Sequence, residues 1–89
     1  MNLSKAEQRV LHVLAQGGCI RHARGLGRKI EAVACHTREG AVLSDCTLEV
    51  FSRLKRRGLI ASRGGAPYRS SRRGIESVRA QADNRQVGR

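Results

Sequence analysis

Aromatic residues, acidic residues and long apolar segments are all scarce in this sequence, and each shortage excludes a class of protein. Phe51 and Tyr68 are the only aromatic residues among 89, so we expect a modest aliphatic core with little room for an enclosed substrate pocket. No apolar run approaches the length of a membrane-spanning helix. The first residues also lack the apolar segment of a secretory signal peptide, so no membrane partner is expected.

Cysteine is present, but its spacing indicates neither a disulfide framework nor a metal site, so we expect buried structural cysteines. Cys19, Cys35 and Cys46 are odd in number and form neither a disulfide pattern nor a zinc-binding pair. Cys35 and His36 are adjacent, and neighbouring strand residues point to opposite faces, so the two rarely bind one ion. We therefore expect reduced thiols in a cytoplasmic protein, with no metal and no cofactor.

Basic residues outnumber acidic ones by eighteen to seven, which gives a net charge of +11. Such an excess indicates an anionic partner, which could be a nucleic acid, an anionic membrane or an acidic protein surface, although it also favours solubility. Fifteen of the eighteen basic residues are arginines. Arginine binds phosphate or carboxylate groups in bidentate fashion, which favours the partner interpretation over solubility alone.

The turn residues divide the first half of the chain into a helix and a hairpin. A capping box from Ser4 to Glu7 predicts a helix over about 5–16, which Gly17-Gly18 should end. Short segments with β-branched residues at 19–24 and 29–37 predict a hairpin around Gly25-Leu26-Gly27. Residues 38–40 are expected to form a turn.

A second helix is predicted over about 45–57, with Ser44 as its N-cap and Leu43 packed against Leu48 as a hydrophobic staple. Gly58 should end it in a Schellman motif, in which Leu54 contacts Leu59. The apolar face expected in the core consists of Leu48, Phe51 and Leu54, packed with Val10.

Two short strands at 60–63 and 68–70, joined by a Gly-rich turn, predict a second hairpin, which we call the wing. Ser71 is expected to cap a last helix with Ile75, Val78 and Ala82 facing inward, and residues 84–89 to form a flexible basic tail. The predicted fold is therefore α+β, a winged-helix-like single domain over 1–83. The first β-hairpin is an addition to this fold. It replaces the helix that usually stands before the recognition helix, which here is the second helix.

Specific stretches of the chain match a known pattern. The most distinctive are Asp45-Cys46-Thr47-Leu48 and Pro67-Tyr68-Arg69, and others are Met1-Asn2-Leu3-Ser4, Leu11-His12-Val13-Leu14-Ala15, Thr37-Arg38-Glu39-Gly40 and Asp83-Asn84-Arg85. With them the chain resembles the YjhX family of small bacterial proteins over nearly its whole length. It departs from the family pattern in the first hairpin, at Cys19, Gly25-Leu26-Gly27 and His36.

The resemblance implies the toxin half of a toxin–antitoxin pair. It further implies that the toxin inhibits DNA topoisomerase I and that its antitoxin resembles an acetyltransferase. It carries over no functional residues.

The residues themselves supply candidate contacts with a partner. These are the basic residues of the second helix and of the wing region, together with one aromatic residue: Arg53, Lys55, Arg56, Arg57, Arg63, Tyr68, Arg69, Arg72 and Arg73. A purely structural interpretation stays open, because cations stabilise a helix C-terminus and Tyr68 could pack on the core.

Acidic residues at the start of the second helix argue against sequence-specific DNA binding. In helix-turn-helix proteins base contacts come mostly from the first residues of the recognition helix, where this chain has Asp45 and Glu49. Glu49 can pair with Arg53 one turn later, and such a face of mixed charge suits a protein partner.

We consider three functions. The leading hypothesis, which the resemblance implies, is a toxin that inhibits topoisomerase I by direct protein contact, with weak non-specific DNA binding from its charge. The second is a winged-helix DNA-binding regulator. The third is an RNA-cleaving toxin, but no spacing of acids, histidines or Tyr68 supports catalysis, so we expect a protein that is not an enzyme.

Overall fold

Helices alternate with short strands along the chain. The computed structural model describes residues 3–27 and 29–87, with side chains as far as residue 80. The elements are α1 (Lys5–Ala15), β1 (Cys19–Arg24), β2 (Ile30–His36), β3 (Val42–Leu43), α2 (Leu48–Arg56), β4 (Ile60–Ala61), β5 (Arg69–Ser70) and α3 (Arg72–Val87). None of the helices in this described part is long and apolar enough to cross a membrane.

The strands form two antiparallel sheets, which confirms the predicted α+β class. β1 pairs with β2 and β2 with β3, while β4 and β5 form the wing. Ile20 and Tyr68 exchange two backbone hydrogen bonds of 2.8 Å, which join the first hairpin to the wing. Strand β3 extends the first hairpin into a three-stranded sheet. It was not predicted, because Leu43 was assigned to the hydrophobic staple of the second helix.

The first helix begins and ends as its sequence predicts. Ser4 and Glu7 form the capping box, with bonds of 3.1 and 3.2 Å between each side chain and the other residue's backbone. At the other end Gly17 adopts φ +102° and Gly18 N–H donates to Val13, which is a Schellman end.

The second helix begins three residues later than predicted. Thr47, not Ser44, is its N-cap and accepts a hydrogen bond from Val50 N–H. The predicted staple between Leu43 and Leu48 is therefore wrong, because Leu43 lies in β3 and Leu48 is the first helical residue. The predicted C-terminus is confirmed, since Leu59 N–H donates to Leu54.

The core lies between α1, α2 and the sheets. Leu54, Phe51 and Val10 are buried there as predicted. Leu48 is 40% exposed and Ile75 is 38% exposed, which corrects their predicted inward orientation. Leu48 is the first residue of α2 and lies at the edge of its apolar face, whereas Val50 is buried with Phe51 and Leu54.

The last helix is attached to the end of α2. Ser71 caps it by accepting from Gly74 N–H, as predicted, and its hydroxyl donates to Gly58 C=O at 2.6 Å. A side chain at position 74 would place Cβ 2.2 Å from Leu59 C=O, so only glycine permits this approach.

Val78 packs against the core, whereas the side chain of Ala82 lies outside the described residues. The flexible tail expected over 84–89 stays a prediction. Positions 84–87 continue the helical backbone, and 88–89 lie outside the described residues.

Candidate interaction surface

The predicted contact residues lie on three adjoining elements. Three are on the C-terminal half of α2, Arg57 is the C-cap of that helix, three are in the wing and two begin α3. The hydrogen bond from Ser71 to Gly58 holds the first turn of α3 against the end of α2. We call the region where these two helix ends meet the α2–α3 junction (residues 55–58 and 71–74).

Within α2, one predicted pair is confirmed. Arg53 and Glu49 are joined at 2.6 Å, with 47% and 73% of their side chains exposed, so water screens most of their attraction. Arg56 is exposed, and among the described residues no carboxylate pairs with it. Arg56 is therefore better placed than Arg53 to bind an external anion.

Arg57 is occupied within the protein. Its guanidinium lies 3.4 Å from the carboxylate of Glu7, which is only 3% exposed. Sequence analysis could have anticipated the position of Glu7 from its capping box, but not the arginine that faces it. Arg57 thus supports the fold as well as the charged surface.

Tyr68, a predicted contact residue, is buried rather than exposed. Its ring is buried edge-on against Phe51, with centroids 4.9 Å apart, and it also contacts His22 at 5.2 Å. Lys55 Nζ lies 5.9 Å from the ring centroid, at the outer range of a cation–π contact. The structural interpretation given above, in which the Tyr68 ring packs on the core, agrees with this arrangement.

The arginines of the wing and of α3 point outward. Arg63, Arg69 and Arg73 are exposed, and no carboxylate within the described ranges pairs with them. Arg72 lies 3.5 Å from Glu76, one turn along α3, but both side chains are largely exposed. The first turn of α3 contains no acidic residue. Cations at a helix N-terminus are unfavourable, so helix stability does not explain Arg73, whereas Arg72 gains the contact with Glu76.

Asp45 lies outside the second helix, contrary to the prediction that it is among the first residues of that helix. It is in the turn before α2 and pairs with Arg9 of α1 at 2.9 Å. The cause is the later helix start at Thr47. Glu49 therefore stands alone as the acidic residue of the first turn of α2.

Two of the three thiols meet in the core. Cys35 and Cys46 are buried, and a hydrogen bond between their sulfurs, aided by burial, raises the pKa of the Cys35 thiol. The same hydrogen bond lowers the pKa of the Cys46 thiol.

Across residues 3–27 and 29–87, no three potential metal ligands of the His, Cys, Asp or Glu type come together.

Known proteins match this chain over nearly its full length. The YjhX toxin family model, described as "putative toxin of bacterial toxin-antitoxin pair", matches residues 1–85. A UPF0386 protein of Beijerinckia indica is 60% identical over 96% of this chain and all of its own length. A UPF0386 protein of Brucella anthropi is 61% identical with the same coverage. One from Cereibacter sphaeroides is 62% identical over 94% of this chain and 97% of its own. No solved structure matches at comparable significance.

Proposed function

The chain belongs to the YjhX toxin family, and from this we propose that it is the toxin of a toxin–antitoxin pair that binds DNA topoisomerase I directly and inhibits it. The resemblance stated above supports the choice of target. The partner that neutralises the toxin would be an antitoxin resembling an acetyltransferase.

The α2–α3 junction and the wing are the surface we assign to the target. Arg73 opposes the dipole of its own helix and no described carboxylate pairs with it, so its placement is better explained by an external anionic group. Arg56, Arg63 and Arg69 add exposed guanidinium groups that no described carboxylate neutralises. An acidic protein surface offers the bidentate carboxylates that such groups bind.

Inhibition by contact, rather than catalysis, is supported by how the candidate catalytic groups are used. Asp45 and Glu49 are the two acidic residues near the start of α2. Each pairs with an arginine: Asp45 with Arg9 of α1, and Glu49 with Arg53 of α2. Tyr68 is buried beneath Lys55 and cannot approach a substrate in this conformation.

A winged-helix DNA-binding regulator is the second candidate function. The observation that favours it is the bridge between Ile20 and Tyr68, which continues the three-stranded sheet into the wing, as in a winged-helix sheet. The net charge of +11 is also compatible with DNA.

Direct binding to topoisomerase I after nuclease treatment distinguishes the two. We expect the parent protein to bind the nuclease-treated enzyme and to block relaxation of supercoiled plasmid without cutting it. Arg56→Glu and Arg63→Glu should each weaken that binding, because charge reversal at a desolvated contact costs several kcal/mol.

Arg38→Glu is the matched control. Arg38 is exposed beside Gly17, at the end of α1 opposite to Glu7 and Arg57, so the same charge change occurs away from the assigned surface. Loss of all binding once DNA is removed would refute inhibition by protein contact and favour the regulator. Equal weakening by all three variants would mean that the interaction depends on net charge alone.

A further inference from the structure

The sheet that joins the first hairpin to the wing has one face turned away from the core. Ile20 and Tyr68 are paired across two strands and are buried. Neighbouring strand residues point to opposite faces, so Arg21 and Arg69 lie on the other side. The same alternation runs through β2 and β3, which extend the sheet in antiparallel register. We call this other side the outer sheet face and define it by six residues: Arg21, Ala23, Ala32, Ala34, Val42 and Arg69.

Alanine occupies the middle of the outer sheet face. Ala23 lies directly across from Ala32, and both are exposed. Ala34, which is half-buried, lies directly across from Arg21. A solvated sheet face normally carries polar or β-branched side chains, and alanine is depleted from strands because it packs little against cross-strand neighbours. Sheet stability therefore does not explain three alanines here, and they leave a shallow area that another backbone can approach closely.

Val42 adds a larger apolar side chain to this face. It is 63% exposed in β3, the edge strand of the three-stranded sheet, and such a side chain gains nothing from the fold while it stays in water. Its cross-strand partner is His36, two residues after Ala34. Val42 and Ala34 are therefore diagonal neighbours, about 7–8 Å apart in a ladder of this kind. The apolar area thus extends from the alanines to the edge of the sheet.

Two arginines give the outer sheet face its charge. Arg21 and Arg69 are exposed, and among the described residues no carboxylate pairs with either. Arg21 borders the alanines through its pairing with Ala34, and Arg69 lies on β5, the strand bridged to β1. Guanidinium groups beside an apolar area fit a partner with the complementary pattern, apolar in the middle and acidic at its flanks.

We propose that the outer sheet face docks an acidic amphipathic helix of a protein partner, with the apolar stripe of that helix on the alanines and its carboxylates on Arg21 and Arg69. A helix packed on a sheet is a common two-layer arrangement, and small side chains allow the helix to come close. Neighbouring strands are about 4.8 Å apart, so five strands span about 19 Å, which accommodates a helix about 10–12 Å wide. This inference does not rest on the proposed function, whose assigned surface shares only Arg69 with this face.

Charge and composition disfavour other occupants. A second copy of this chain would carry the same two arginines and the same net charge of +11, so the two faces would repel each other. Sheets that bind single-stranded nucleic acid stack bases on aromatic side chains, but Phe51 and Tyr68 are both buried. Phosphate groups would also gain nothing from the alanines or from Val42.

The test uses the full chain and a synthetic helical peptide of about 18 residues, about 27 Å long, with leucine along one face and glutamate on both sides of it. Covalent bridges between side chains on its far side hold it helical, because short isolated helices are marginal in water. We expect a Kd below about 1 mM and shifts of the backbone amide NMR signals at positions 21–23, 32–34 and 42. Arg21→Glu should weaken binding roughly tenfold, because it reverses a charge that contacts carboxylates.

Arg56→Glu is the matched control. Arg56 is exposed on α2, whose Phe51 packs on Tyr68 at the core side of the sheet, so the same charge change occurs on the far side. It should alter peptide binding by less than about twofold, since salt screens distant exposed charges. A peptide of the same composition in shuffled order, which has no apolar face, should bind roughly tenfold more weakly. Thermal melting checks that both variants fold, and no shift is expected because both arginines are exposed.

Three results would each overturn the inference: a Kd above about 1 mM, equal weakening by Arg21→Glu and Arg56→Glu, or equal affinity for the shuffled peptide. NMR shifts confined to another surface would overturn it as well. Shifts of the same amides by oligothymidine, or by self-association measured in sedimentation experiments, would assign the face to a nucleic acid or to a second copy instead. The proposed function is tested apart from this, because Arg56→Glu should weaken binding to topoisomerase I and keep peptide binding, and Arg21→Glu should do the reverse.

Discussion

The carboxylate of Glu7 links two helices. Its Oε1 accepts from Ser4 N–H at 3.2 Å and completes the cap of α1, while its Oε2 lies 3.4 Å from Arg57 at the end of α2. Oε2 has no hydrogen bond from the described atoms, so the attraction to Arg57 is electrostatic rather than a directed bond. One residue of the predicted contact set thus balances a buried charge.

Removing that balancing charge should destabilise the protein. Arg57→Ala leaves the Glu7 carboxylate buried without a counter-charge and should lower the free energy of unfolding by about 1–3 kcal/mol. In a Glu7→Gln background the same substitution should cost less, because glutamine keeps the capping box and has no charge. Urea denaturation of the four proteins of this cycle measures the coupling. Equal costs in both backgrounds would contradict the pairing, and Arg56→Ala is the exposed control.

Substitution of Leu54 should destabilise the protein much more than substitution of Leu48, although both were predicted to lie in the core. Leu54 is fully buried, so Leu54→Ala should cost about 2–5 kcal/mol. Leu48→Ala at the exposed first position of α2 should cost less than about 1 kcal/mol. Thermal melts compare the two. A shift of a degree or less for Leu54→Ala would show that the helix presents a different face.

The start of α2 can be checked by its caps. Thr47→Ala removes the acceptor of Val50 N–H and should cost about 0.5–2 kcal/mol. Ser44→Ala should cost much less, because no hydrogen bond of its side chain to the helix is present among the described residues. The denaturant midpoints of the two variants measure these losses of stability. A larger loss for Ser44→Ala than for Thr47→Ala would show that Ser44 is the N-cap, as the sequence predicted.

The buried thiols should titrate as a pair. The hydrogen bond with Cys35 lowers the pKa of the Cys46 thiol. Cys35→Ala should therefore raise the lowest thiol pKa, which is measured by the absorbance of the thiolate. Cys19→Ala is the control and should leave that pKa unchanged. The lowered pKa of Cys46 implies stability that is present at high pH and lost as the pH falls through its folded pKa. The raised pKa of Cys35 acts oppositely, since stability is lost as the pH rises above the ordinary thiol value of 9.0. If the thiol titration were unchanged in Cys35→Ala, the hydrogen bond between the Cys35 and Cys46 thiols would be contradicted.

Overall DNA affinity should be weak and strongly dependent on salt. The net charge of +11 predicts a fall of about 0.9 log units in affinity per log unit of salt for each phosphate neutralised. Titrations of several duplexes at two salt concentrations measure the slope and the sequence preference. A large preference for one duplex that survives high salt would favour the regulator over the toxin.

Local signals made much of the fold predictable. The capping box of Ser4 and Glu7, the Schellman end at Gly58 and the cap at Ser71 each depend on residues within one or two turns of each other. A few adjacent side chains determine such motifs, so a sequence pattern identifies them. The hairpins were found for the same reason, since turn glycines and β-branched residues are local features.

The start of α2 was mistaken because two residues could serve as its cap. Ser44 and Thr47 are both good N-caps, and local preference does not choose between them. Pairing of Leu43 with Cys35 in the sheet keeps residues 42–43 extended, so the helix begins only after the following turn. A contact between distant parts of the chain made that choice.

The sequence was enough to predict the three helices, the two hairpins, their order, the large positive charge and the family. Which charged and aromatic residues are available to a partner became known only from the packing of the folded chain. It buried Tyr68 against Phe51, paired Arg57 with Glu7 and Asp45 with Arg9, and left Leu26 exposed. The physical reason is that exposure and ion pairing depend on elements far apart in the chain, whereas capping, turns and periodicity depend on neighbours.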